Sequence, residues 1–70
     1  MKFQFETSLG MCYGTVHENN VVVLDSSSEI LLGSILDLSY AEPHTVENKW
    51  LKLAISDPWS SPEYKVVYID

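Results

Sequence analysis

Cys12 and His17 are a thiol and an imidazole five positions apart, the pair whose types could support covalent chemistry. A thiolate nucleophile needs a base or a cation beside it. Both residues fall in MCYGTVH, residues 11–17, a stretch of aromatic and β-branched types that reads as strand. At an odd spacing on a strand they point to opposite faces and cannot pair within it. Cys12 is therefore expected as a buried structural cysteine. His44 follows Pro43 in a polar stretch and is expected to be solvated. None of the nine serines sits in a Gly-x-Ser-x-Gly elbow, and three glycines make no phosphate-cradling loop. Cys12, His17 and His44 lack zinc-type spacing. Asp25-Ser26-Ser27-Ser28-Glu29 lacks the glycine and spacing of a calcium loop, and helix capping accounts for it. Those serines could accept phosphate, whose charge is tolerated at a helix N-terminus. Acid–base carboxylates would need an enclosing pocket, which so small a domain rarely builds. The chain reads as no enzyme, with no catalytic residue, no metal and no cofactor expected.

What remains is binding, and charge is the informative quantity. Ten acidic residues face four lysines, arginine is absent, and the formal net charge is −6. From Phe3 through Asn48 there is no Lys or Arg, while Glu6, Glu18, Asp25, Glu29, Asp37, Glu42 and Glu47 all fall there. The stretch from Lys49 onward is balanced. Such a surface repels phosphate, so direct binding to nucleic acid or to an anionic membrane is disfavoured. A cationic protein surface is the complementary partner. Tyr13, Tyr40, Trp50, Trp59, Tyr64 and Tyr68 add six amphipathic aromatics, the types that anchor protein interfaces.

The elements that would position these residues fit one domain, residues 1–70. A chain of this length buries only about 60% of its unfolded surface, so its margin of stability is thin. A lone cysteine rules out an internal disulfide and favours a reducing, cytoplasmic setting. No apolar run is long enough to cross a membrane as a helix. Residues 2–8 alternate Phe3, Phe5 and Thr7 against Gln4, Glu6 and Ser8, a half-buried strand. Residues 11–24 read as a hairpin turning at His17-Glu18-Asn19-Asn20, where the asparagines tolerate positive φ. Ser26 with Glu29 forms a capping box, so a helix is expected from near Ser27 to about Leu38, with Ile30, Leu31, Ile35 and Leu38 on one face. Residues 34–41 also alternate, which would suit a strand after a break at Gly33. Residues 41–49 read as loop, 50–56 as a strand, and 64–70 as a final strand antiparallel to it. The expected fold is α+β: a small antiparallel β-sheet of about five strands with one helix packed on it, in the order β-β-β-α-β-β. The alternative is a small all-β barrel.

Between the last two strands lies DPWSSPEY, residues 57–64, which can be neither helix nor inner strand. Pro58 and Pro62 stiffen it, and a stiff loop loses less entropy on binding. That makes Trp59 a candidate anchor rather than a core residue, with Trp50 as its structural counterpart. Glu6-Thr7-Ser8-Leu9 after its alternating strand, together with SDPWSSPEYKVVYID, resembles segments of phage uracil-DNA glycosylase inhibitors. Those small acidic proteins occupy the DNA groove of their enzyme. The resemblance spans about a quarter of the chain with gaps, leaves out its middle, and carries no residue assignment.

The chain is expected to be a small acidic inhibitor or decoy of phage or mobile-element type that blocks a nucleic-acid-processing protein. Glu6, Glu18, Asp25 and Glu29 would carry the charge and Trp59 and Tyr64 would be the anchors. Carboxylates at i and i+2 on one strand face lie roughly 6.5–7 Å apart, comparable to DNA phosphates. An immunity or antitoxin-like protein that neutralises a cognate toxin is the rival reading. A structural or assembly subunit that self-associates, in the simplest case as a homodimer, is the third.

Overall fold

Phe3, Phe5 and Thr7 do turn inward together, and the barrel is built outward from that row. The computed structural model describes the backbone of residues 1–70 and every side chain except that of Pro58. Strand β1 (Lys2–Thr7) pairs antiparallel with β2 (Gly10–Val16), which pairs with β3 (Val21–Leu24). A 3-10 turn at Glu18–Asn20 joins β2 to β3, with Asn19 and Asn20 at φ 62° and 63°. Helix α1 spans Ser26–Gly33. Then follow β4 (His44–Glu47), β5 (Trp50–Lys52), a 3-10 turn at Pro58–Ser60, β6 (Tyr64–Lys65) and β7 (Val67–Tyr68).

All seven strands form one sheet in the order β6-β5-β4-β3-β2-β1-β7. Its two outermost strands are adjacent in sequence, separated by Val66 alone. Tyr64 and Lys65 pair with β5, while Val67 and Tyr68 pair with β1. The Val66 N–H donates to Lys49 O at 2.8 Å, and the Ile69 N–H to Lys2 O at 3.0 Å. One extended segment thus changes neighbour midway and nearly closes the sheet into a barrel. The expected five-stranded sheet with a helix packed on it is therefore incorrect. The small all-β barrel fits.

The helix is shorter than its hydrophobic pattern suggested. It ends at Gly33, with Ser34 as C-cap: Ser34 N–H donates to Ile30 O and Leu31 O, and the Ser34 hydroxyl also bonds Ile30 O. Residues 37–39 then run beside 54–56: Leu38 bridges Ile55, and Ser39 N–H donates to Ala54 O at 2.7 Å. The helical phase of Ile35 and Leu38 was a coincidence of spacing. Ile30 is 74% exposed, and α1 turns Ser28 and Leu32 inward instead. Among the described residues the N-cap Asp25 and Ser26 make no side-chain capping bond. Ser28 Oγ accepts the Tyr13 N–H at 2.8 Å and so ties the helix to β2.

The polar stretch read as loop contains β4. His44 and Thr45 pair with Val22 and Val21, and Asn48-Lys49 form a two-residue turn at φ 52° and 68° leading into β5. Such turns match the right-handed twist of hairpin strands. β5 stops at Lys52 rather than running to residue 56, and residues 64–70 are two short strands rather than one.

The core comprises Phe3, Phe5, Cys12, Val22, Leu24, Leu32, Val46, Leu51 and Val66. At Gly14 an added Cβ would lie 2.8 Å from Phe3 Cζ and 3.0 Å from Val23 O, so glycine is what lets β2 cross over the Phe3 ring.

Candidate partner-binding surface

The alternation that turns Cys12 inward turns Met11 and Tyr13 outward, and Glu6 stands directly opposite Met11. Gln4 lies between Tyr13 on β2 and Val67 on β7, so these side chains form one outer face across β2, β1 and β7. Met11, Tyr13 and Val67 are all exposed apolar groups on it. Asp25 borders the same face, because its N–H donates to Tyr13 O at 3.0 Å. Glu29 follows across the first helical turn, with its N–H on Asp25 O, and Glu29 Oε1 accepts the Tyr40 hydroxyl at 3.1 Å.

The structure therefore sets Glu6 and Asp25 on the two sides of β2, with Glu29 one helical turn beyond Asp25 and bonded to Tyr40. It does not bring Glu18 to them. Glu18 lies in the turn at the other end of β2, beyond the strand from Met11 to Val16, which is about 17 Å long. Outward positions of β1 are Lys2, Gln4 and Glu6, so no phosphate-like i, i+2 ladder of carboxylates runs along that strand.

The two aromatic candidates part company. Trp59 is 95% exposed in the Pro58–Ser60 turn. Asp57 holds that turn: Oδ1 accepts the Trp59 N–H at 3.2 Å and Oδ2 the Ser60 hydroxyl at 2.8 Å. The stiffening assigned to the Pro58 ring lies outside the described side chains. Tyr64 is half-buried against Phe5, ring centroids 5.2 Å apart, and burial raises its hydroxyl pKa. Its ring belongs to the core flank, and Trp50, expected to be structural, is 42% exposed.

Three lysines lie around β5, with Glu47 and Glu63 among them. Lys49 occupies the β4–β5 turn, Lys52 lies on β5, and Lys65 stands opposite Trp50. Lys52 Nζ reaches Glu47 Oε2 at 2.8 Å, and that bond holds the Glu47 carboxyl below its ordinary pKa. That region of β5 and its neighbours therefore carries mixed charge, Lys49, Lys52 and Lys65 with Glu47 and Glu63.

His44 is the correction among the titratable groups. It is 4% exposed rather than solvated. Nδ1 accepts the Ala54 N–H at 2.8 Å, while the buried Nε2 finds no partner among the described residues. Desolvation lowers its pKa, against a smaller opposing pull from Glu29. Cys12 points into the core and His17 is exposed in the turn, so thiol and imidazole stay apart. Burial pushes the Cys12 thiol pKa up. Among the described residues no cluster of three His, Cys, Asp or Glu could hold a metal, and no helix is long and apolar enough to cross a membrane.

The class that fold and surface define is a small, nearly closed antiparallel barrel with an acidic, partly apolar outer face. Comparisons with protein-family models, curated proteins and solved structures find no match to this chain.

Proposed function

We propose that this barrel is an acidic protein-binding inhibitor or decoy of phage or mobile-element type. It acts in the cytoplasm, where a lone free thiol persists, and blocks a nucleic-acid-processing protein by occupying the basic surface meant for nucleic acid. The observation that supports the reading is an acidic, partly apolar outer face. Glu6 stands opposite Met11 and Asp25 beside Tyr13, both of these apolar groups being exposed. A basic groove is thus offered negative charge at the rim of a contact and apolar surface within it, the usual anatomy of a specific interface. The carboxylates act as a field over this face rather than as a copy of a phosphate ladder.

The test is capture from host lysate followed by competition. The immobilised protein should retain a nucleic-acid-processing protein, release it as salt rises, and compete with that protein's nucleic acid. Exposed charges are screened beyond about 10 Å at 0.1 M salt, so affinity should fall steeply above that. Glu6→Gln with Asp25→Asn should weaken binding and flatten its salt dependence. Affinity that ignores both salt and this double substitution would sink the reading.

A further inference from the structure

His44 is buried on β4, and one hydrogen bond fixes its protonation state. Nδ1 accepts the Ala54 N–H at 2.8 Å. A ring nitrogen that accepts carries no proton, so the imidazole is neutral with its hydrogen on Nε2. Nε2 is itself buried and unpartnered among the described residues, so the ring is held from the Nδ1 side. Ala54 in turn holds a second segment. Its carbonyl accepts the Ser39 N–H at 2.7 Å, Leu38 bridges Ile55, and Asp37 accepts the Ser56 N–H and hydroxyl. Residues 37–39 and 54–56 thus form a strap beyond the end of β5. Leu38, with Leu36 just before the strap, packs against the core.

We propose that His44 is a pH-controlled latch on this strap: the neutral ring accepts the Ala54 N–H and keeps the strap closed, and the imidazolium releases Ala54 and lets the strap open. An imidazolium donates from both nitrogens, so at 2.8 Å two N–H groups would face each other. The charged ring also gains contacts that the neutral ring does not use. Glu29 on α1 attracts it, and the Tyr40 ring lies 5.7 Å away, within the roughly 6 Å reach of a cation–π contact. Tyr40 already donates its hydroxyl to Glu29, so ring and carboxylate stand together. Asp37 on the strap and Glu42 before β4 add negative charge on that side. Across the sheet β3 presents Val22, while Lys52 and Glu47 bond each other on the outer surface. Every charged group on the strap and helix side therefore favours the imidazolium once burial no longer opposes it.

Burial disfavours the charged form while the strap is closed, and a hydrated ring titrates near pH 6.5. The strap is therefore closed above about pH 6.5, and below it the opening equilibrium rises by up to about tenfold per pH unit. Opening uncovers Leu36 and Leu38 and adds an apolar surface on acidification. The latch does not depend on the inhibitor reading.

Amide hydrogen exchange followed by NMR between pH 5 and 8, corrected for the intrinsic pH dependence of exchange, tests this. The Ala54 and Ser39 amides should lose protection together below about pH 6.5, by up to about tenfold per pH unit, and should ignore sub-denaturing urea, as local openings do. The Phe5 and Cys12 amides, paired across β1 and β2, should instead respond to urea in full. Glu29→Gln should move the onset to lower pH, and His44→Asn, which accepts but does not titrate, should abolish it. If His44→Asn does not fold, the wild-type exchange decides alone. Strap amides with the urea dependence of Phe5 and Cys12, or with protection indifferent to pH, would overturn the proposal. So would exchange at Ala54 while Ser39 stays protected, which is the mark of a ring flip under a closed strap.

Discussion

Replacing Trp59 with alanine tests whether the largest side chain of the loop belongs to the fold. Only a twentieth of the residue is covered, since it is 95% exposed. A fully buried tryptophan covers about 150–250 Å², so the contact at stake is about 10 Å². At about 25 cal/mol per Å² that is ~0.3 kcal/mol, within the ordinary scatter of surface substitutions. Were the indole sealing the core, the loss would be about 3–5 kcal/mol, a large share of the margin of a small domain. The two cases differ about tenfold, which a urea titration followed by far-UV circular dichroism resolves. Protein at about 1 µM keeps mass action from any self-association out of the comparison. Trp50→Ala is the internal standard. With 42% of Trp50 exposed, a little over half of it is covered, and a loss of about 2–3 kcal/mol is expected. A loss above about 1.5 kcal/mol for Trp59→Ala would refute the placement of the loop and every role built on an exposed indole.

Gly14→Ala should destabilise by about 1–3 kcal/mol, because the added methyl meets Phe3 Cζ and the Val23 carbonyl; an unchanged urea midpoint would contradict the packing around Phe3. Ser28→Ala should cost about 1–3 kcal/mol by stranding the Tyr13 N–H, whereas Ser26→Ala should stay within about 0.5 kcal/mol; the opposite ranking would restore the capping box. His44 has a folded-state pKa below its unfolded value, so the unfolded chain takes up its proton first. Stability should be level above about pH 6.5 and fall as pH drops from there toward the folded pKa, by at most about 1.4 kcal/mol per pH unit. His44→Gln should flatten that decline in thermal melts taken between pH 5 and 8, as judged against the exposed His17 that both proteins keep.

Strand alternation carried the legible part of the fold. Phe3, Phe5 and Thr7 inward, Cys12 inward, and a turn through Asn19 and Asn20 all follow from local chemistry that tertiary contacts reinforce. Helix and barrel were harder because two periods competed over residues 30–40. Pairing of Leu38 with Ile55 settled the competition, and that partner lies too far along the chain for a local pattern to register. β4 was hidden because only Val46 and His44 turn inward within a polar stretch, and His44 does so with its Nδ1 occupied by Ala54. The split of residues 64–70 had no local signature at all, since Val66 alone separates the two pairings. Exposure of the acids was legible, but their placement was not: the β1–β2–β3 register sets Glu6 and Asp25 on the two sides of β2, and the same register sends Glu18 to the far end. Tyr64 was misread as a surface anchor for the same reason, as the closing segment turned its ring onto Phe5.

Closure also limits the ways in which such a barrel can work. An open sheet can bind by adding a strand to its edge, and its exposed edges are a hazard that must be blunted. Here Tyr64–Lys65 covers β5 and Val67–Tyr68 covers β1, so the hydrogen-bonding edges are largely consumed within the chain. A small chain without a disulfide needs some other staple, and the ring of strands supplies one. Lys2 N–H reaches Asp70 Oδ1 at 2.8 Å and Ile69 N–H reaches Lys2 O, fastening the closing segment to the first strand. The barrel interior is filled by Phe3, Phe5 and the side chains around them, which leaves outer faces and turns for recognition. On those surfaces the chain places its unpaired acids, its exposed Met11–Tyr13 pair and Trp59. Closing the sheet therefore does two things at once: it stabilises a chain too short for a large core, and it moves recognition from backbone pairing to side-chain chemistry. Recognition by side chains can be altered one substitution at a time, as Glu6, Asp25 and Trp59 allow, while the barrel beneath them stays intact.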